Sequence, residues 1–130
     1  IVQKETIKRS EAPKIAGVYL NRLRIGMPLQ ADPTLVYASG NFSSQRVLNV
    51  YKNIDSPYNT YKYKGLPPGP IGMAAKVYLD AVLNHEKHSY LYFCAKEDFS
   101  GFSNFSASYL EHQVNARKYQ KALDRKGILN

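Results

Sequence analysis

Residues 58–72, YNTYKYKGLPPGPIG, constrain the fold more than any other part of the chain. Three prolines, three glycines and three tyrosines fall within fifteen residues. Proline removes a backbone donor and fixes φ, while glycine admits turns that other residues avoid. The segment is therefore neither an ordinary helix nor a central strand. It is a stiff, aromatic loop around which helices and a small sheet have to be arranged.

The rest of the chain supplies those elements. Ala12, Ile15, Ala16, Tyr19, Leu20 and Leu23 recur at helical spacing and predict an amphipathic helix over 11–24, with Ser10 as N-cap and Gly26 as its stop. Asp32-Pro33 is a cap followed by a first-turn proline, so 33–39 reads as a short helix closed by Gly40. SSQRVLNVYKN, 43–53, reads as another short helix, and YKYK, 61–64, as a short strand. Ile71, Ala75, Tyr78, Leu79, Val82 and Leu83 restore the helical period. YLYFCA, 90–95, reads as a buried strand that pairs with GFSNFS, 101–106. Ser108 with Glu111 forms a capping-box pattern before a helix over about 107–126 that ends at Gly127. The fold class is α+β, one mostly helical domain over 1–130 with a small antiparallel sheet.

Charge narrows the partners without choosing one. Eighteen Lys and Arg face ten Asp and Glu, a net charge of +8, which favours nucleic acid, a membrane surface or an anionic wall polymer. The densest basic group (Arg117, Lys118, Lys121, Arg125, Lys126) reads as a solvated helix face. The single cysteine, Cys94, excludes an internal disulfide and a Cys-rich metal site, and its aromatic strand places it in the core. His85 and His88 lack a third ligand and read as solvated helix-end residues, and His112 stands alone. The prolines between Gly65, Gly69 and Gly72 argue against a phosphate cradle. No apolar run reaches the ~18 residues of a membrane span. The chain starts with Ile and is read as a fragment of something longer.

Most carboxylates have structural readings. Glu11, Asp32 and Glu111 sit at helix starts, Glu97 and Asp98 in a turn, and Asp124 among basic residues. Asp55, Asp80 and Glu86 carry no signal either way. Glu5 differs, because IVQKET sets it beside Ile1, Val2 and Ile7. A carboxyl turned from such a helix end into a cleft would be desolvated, with the raised pKa a general acid needs. On pattern alone, a surface Glu beside Lys4 is the simpler reading.

IVQKET, VYLNRLRIGMPLQADPTLVY, YNTYKYKGLPPGPI and YLYFCA, in this order and spacing, resemble the MltG (YceG-like) endolytic murein transglycosylases over Ile1 to about Tyr119. The resemblance implies a lyase that cleaves peptidoglycan between N-acetylmuramic acid and N-acetylglucosamine, leaving 1,6-anhydromuramoyl ends. It implies Glu5 as the single catalytic acid and base, without metal or cofactor, at a lytic-transglycosylase-like groove. Many such proteins have Glu where this chain has Gln3, so Gln3 is no acid here. The family's N-terminal anchor and small LysM-like domain have no counterpart in these residues. The implied setting is the bacterial inner membrane, catalytic domain outward, beside the peptidoglycan synthases.

On this reading Tyr58, Asn59, Tyr61 and Gln30 line the groove, and Asp32 either contacts substrate or caps its helix. Gly65, Pro67, Pro68 and Gly69 brace the wall, Arg22 holds a carboxylate or carbonyls, and Tyr92 is groove or core. Two rivals stand beside it. A hydrolytic muramidase would need Asp32 or Asp55 to activate water, and a non-catalytic module would bind peptidoglycan or another anionic polymer without cutting it. Nucleic-acid binding is the weakest option.

Overall fold

The computed structural model describes residues 1–40 and 49–127. α1 (Val2–Glu5) is followed by a 3-10 turn at Arg9–Glu11, then by α2 (Ala12–Arg24) and α3 (Asp32–Ser39). A second 3-10 turn spans Asn49–Asn53 and leads into the proline-rich loop, then α4 (Lys76–Leu83). A hairpin of β1 (Tyr92–Ala95) and β2 (Ser103–Ser106) follows, and α5 (Tyr109–Arg125) ends the described chain. The strands are antiparallel, with Tyr92 opposite Ser106 and Phe93 opposite Phe105.

α2 is the spine of the domain. Its periodic residues Ile15 and Tyr19 pack with Leu29 and Ala31, and Ile1, Val2, Leu23, Phe93 and Phe105 close around them. Pro13 sits in its first turn, where the missing N–H costs nothing. Gly17 faces the segment that leads to β1. A Cβ there would lie 2.5 Å from the Glu86 carbonyl oxygen and 2.6 Å from His88 Nε2. His88 donates from Nε2 to the Lys14 carbonyl at 2.8 Å, and Asn21 Nδ2 donates to the carbonyls of His88 (2.8 Å) and Tyr90 (2.9 Å). The route into β1 is thus laced directly onto α2.

Several expected elements are revised. Ser10 lies inside the 3-10 turn and makes no cap; Glu11 occupies the N-cap position, and its carboxylate accepts instead from the Ser103 N–H at 3.1 Å. Asp32 is the first residue of α3, after Ala31 at the N-cap, so its carboxylate is not engaged in capping. The YKYK segment is a turn, because the Asn59 carbonyl accepts from the N–H groups of Lys62 (3.2 Å) and Tyr63 (2.9 Å) and curls the chain. Ile71 precedes α4, and His85 and His88 follow its end; His88 is half-buried on Tyr90 rather than solvated. β1, with Cys94, is half-buried rather than buried. Of the helix expected over 43–53, residues 43–48 lie outside the described residues. The closures at Gly40 (φ +72) and Gly127 (φ +69) and the Ser108 cap, which accepts from the Glu111 N–H at 3.2 Å, are as the sequence predicts.

Candidate active site

Two cavities flank α2. The larger, about 450 Å³, is walled by hydrocarbon from Val2, Leu20, Leu23, Ile71 and Leu79 together with Pro67, Gly69 and Pro70, and no carboxylate reaches it. The smaller, about 210 Å³, gathers Glu5, Arg22, Gln30, Asp32, Tyr61 and His112 with the rings of Tyr19, Tyr92, Phe93 and Tyr109. Size favours the first, but acid–base chemistry needs convergent polar groups and the second has them. Of the ten carboxylates in the sequence, only Glu5 and Asp32 line it.

Glu5 ends the single turn of α1, where it points away from Gln3. The Gln3 side chain lies toward the apolar cavity and accepts from the Ala75 N–H at 2.7 Å. Burial raises the Glu5 pKa from the ordinary 4.5 to about 7. The negative charge of Asp32 adds to the rise, while the Ile1 amino group and Arg22 oppose it. A carboxyl in that range is half protonated near neutrality, so it can both give and take a proton.

Arg22, buried on α2, lines the same cavity. Its Nε donates to the Leu91 carbonyl at 2.7 Å, and Nη1 donates to the Leu29 carbonyl. The guanidinium carbon lies 5.6 Å from the Tyr19 ring and 5.5 Å from the Tyr92 ring. Carbonyl oxygens take its hydrogen bonds and the π faces flank it, with Glu5 adding a weaker charge interaction. Burial lowers its pKa, opposed mainly by Tyr19 and Tyr92.

The opposite wall is the turn before α3. Gln30 takes a left-handed backbone (φ +51), and its N–H donates to the Thr60 carbonyl at 3.1 Å. Ala31 N–H donates to Thr60 Oγ1 at 3.0 Å, which ties this turn to the aromatic loop. Tyr61 O–H donates to Asp32 Oδ1 at 2.5 Å, and Lys52 Nζ lies 4.9 Å from the Tyr61 ring centroid. Asp32→Asn is expected to lower the Glu5 midpoint while leaving it above the ordinary value, since burial is the larger cause and persists. A ¹³C carboxyl titration measures this, and an unmoved midpoint would show that the two carboxyls do not interact.

The other sequence candidates are placed elsewhere. Asn59 is fully buried and outside the cavity lining; its amide donates to the carbonyls of Lys52 (3.0 Å) and Ile54 (2.8 Å) and accepts from the Tyr61 N–H (3.0 Å). Tyr58 packs on Tyr37 with ring centroids 4.6 Å apart and does not line the cavity. Asp55 is exposed, bonded to Tyr63 and paired with Lys62 at 3.4 Å. Gly65 uses a left-handed backbone (φ +85), Pro67 and Gly69 line the apolar cavity, and Pro68 is exposed. Tyr92 and, unexpectedly, Tyr109 and His112 form the wall beside Arg22. The spacing of Tyr109 and His112, three residues apart at the start of α5, puts them on one helix face and was the available signal.

Fold and site together define an α+β domain with a buried, raised-pKa carboxyl in an aromatic-walled cavity. The chain belongs to the YceG-like family, whose model matches residues 1–118. It is 42% identical over 126 residues to the endolytic murein transglycosylase of Bacillus subtilis, a match covering 97% of this chain and 34% of that protein. It is 40% identical over 99 residues to the endolytic murein transglycosylase of Streptococcus pneumoniae, covering 73% of this chain and 18% of that protein. The chain thus spans about a third or less of these relatives. The crystal structure of a YceG-like protein from Listeria monocytogenes superposes with a TM-score of 0.81 at 41% identity, covering 87% of this chain and 36% of that one.

Proposed function

We propose that the chain carries the catalytic centre of an endolytic peptidoglycan transglycosylase, with Glu5 as both acid and base. The observation that supports this best is the Glu5 carboxyl itself, held near neutrality by burial in the cavity it shares with Arg22 and the tyrosines. Protonated Glu5 gives its proton to the glycosidic oxygen as the bond from C1 of the muramic acid residue breaks. The resulting carboxylate then takes the proton of that residue's own C6 hydroxyl as O6 attacks C1. Glu5 begins and ends protonated, no water enters, and one product ends in a 1,6-anhydro ring. Because the nucleophile is tethered to the reacting carbon, effective molarity replaces a second, water-activating carboxylate.

The walls suit such a polymer. The rings of Tyr61, Tyr92 and Tyr109 offer faces for sugar C–H surfaces, and Gln30 and Asp32 offer polar contacts. The cavity would be the deepest part of a longer glycan-binding groove. Murein lies outside the cytoplasmic membrane, so we place this domain there, in a membrane-anchored protein working beside peptidoglycan synthases. Among the described residues no helix is long and apolar enough to cross a membrane.

Mass spectrometry of the products from uncross-linked glycan strands tests the reaction. Anhydro ends are expected. Reducing ends, heavier by one water, would mean a hydrolase, with Asp32 as the carboxylate to examine. Unchanged strands that still bind would leave a binding module.

A further inference from the structure

We propose that His112 is a second ligand-contacting residue of this cavity, presenting an uncharged Nε2–H to a hydroxyl or acetamido carbonyl oxygen of the bound glycan. The inference rests on the reading of the cavity as a glycan site, and its evidence is separate from Glu5.

The imidazole is held in place. It stacks on Tyr92 with centroids 5.1 Å apart and planes 22° apart, and Tyr109 flanks it at 6.3 Å. Its Nδ1 is buried and has no hydrogen-bond partner among the described residues. A proton on Nδ1 would therefore be a buried donor with nothing to accept it, which is costly; a bare lone pair there costs less. That selects the neutral tautomer with its proton on Nε2, the ring nitrogen left for a ligand.

The neighbouring charges agree. Burial lowers the His112 pKa, and Arg22 lowers it further. The groups around the ring are Arg22 from α2, Tyr92 from β1 and Tyr109 from its own helix, with Glu5, Asp32 and Tyr61 on the same cavity. Only Glu5 and Asp32 can carry negative charge near neutrality. Asp32 already accepts from Tyr61, and Glu5 is about half protonated near pH 7. A neutral donor beside an acid that must stay protonated is also consistent: an imidazolium would favour the Glu5 carboxylate and spoil the acid.

The test uses ¹⁵N–¹H imidazole spectra of this chain in a Glu5→Gln background, so that added uncross-linked glycan strands are bound and not consumed. A neutral, Nε2-protonated His112 at pH 7 is expected, with its Nε2–H resonance moving as strands saturate. Strand affinity should fall about tenfold in His112→Ala and His112→Asn. His112→Gln, which sets an amide donor near the Nε2 position, should recover most of it. An imidazolium or Nδ1–H form at pH 7, an Nε2 signal that strands do not move, no strand binding, or equal losses in the Gln and Asn variants would each overturn the proposal. Matched melting temperatures separate a lost contact from a lost fold. Product analysis of the wild type keeps the two readings apart. Moved Nε2 without anhydro ends would sink the Glu5 mechanism and leave His112 standing, and anhydro ends with a silent Nε2 would do the reverse.

Discussion

Glu5→Gln is expected to lower the yield of anhydro ends by roughly a thousandfold, the middle of the range for a positioned acid–base group. On the proposed mechanism one residue serves both proton transfers, so its loss removes both and the amide can replace neither. The same substitution should stabilise the protein above neutral pH. Unfolded, Glu5 titrates at the ordinary 4.5; folded, it titrates at about 7. Between those values the folded chain holds a proton that the unfolded chain has released. Stability therefore falls as pH rises through this window and levels off above it. Gln has no such loss. The variant should gain on the order of 2 kcal/mol over the wild type at pH 8, and close to nothing at pH 4.5, after discounting for partial exposure. Urea midpoints at the two pH values decide it. Equal differences at both would mean that Glu5 is not desolvated in the folded chain.

Gly17→Ala should be the most damaging single methyl in the described chain. The new Cβ meets the Glu86 carbonyl oxygen at 2.5 Å and His88 Nε2 at 2.6 Å, and neither can yield cheaply. The carbonyl is main chain, and the imidazole is fixed through Lys14 and Tyr90. Overpacking of this kind costs about 1–3 kcal/mol and occasionally more, and the better helix propensity of alanine returns only about 1 kcal/mol. A net loss near 2 kcal/mol, or a melting temperature lower by on the order of 8 °C, is expected. Activity should fall further than stability, because the displaced segment leads to Leu91 and Tyr92. A variant that melts with the wild type would show that the 86–90 segment can move off α2 without cost.

What could be read from the sequence was what is local. The period of Ile15 and Tyr19, the glycines at 40 and 127, the Ser108 cap and the hairpin all follow from neighbours within a few residues. The failures were contests between local signals. Tyr61 and Tyr63 alternate as a strand would, yet Asn59 captures the following N–H groups and turns the chain. Ser10 is a good cap by type, but the turn it enters places Glu11 at the cap position. The cavity was the hardest part, since α1, α2, α3, the aromatic loop, β1 and α5 each give it a residue or two. No spacing within one element states that Glu5 and His112 share a space. The expectation for Glu5 came from resemblance rather than from pattern, and that for His112 was missed altogether.

Arg22 carries a consequence for how the cavity meets its ligand. Its two donors grip the residues just before Gln30 and just before Tyr92, one on each wall. The gauge of the opening is therefore set by the length of one planar guanidinium, buried and bonded on both sides. Widening it would break charge-assisted bonds that water cannot easily replace. Both walls are already tied to this one side chain before anything arrives, which lessens the ordering left to be done on binding. If the proposed glycan is the ligand, selectivity should follow from thickness: a chain of the right breadth slides in, and one thickened at the wrong sugar stalls at the mouth.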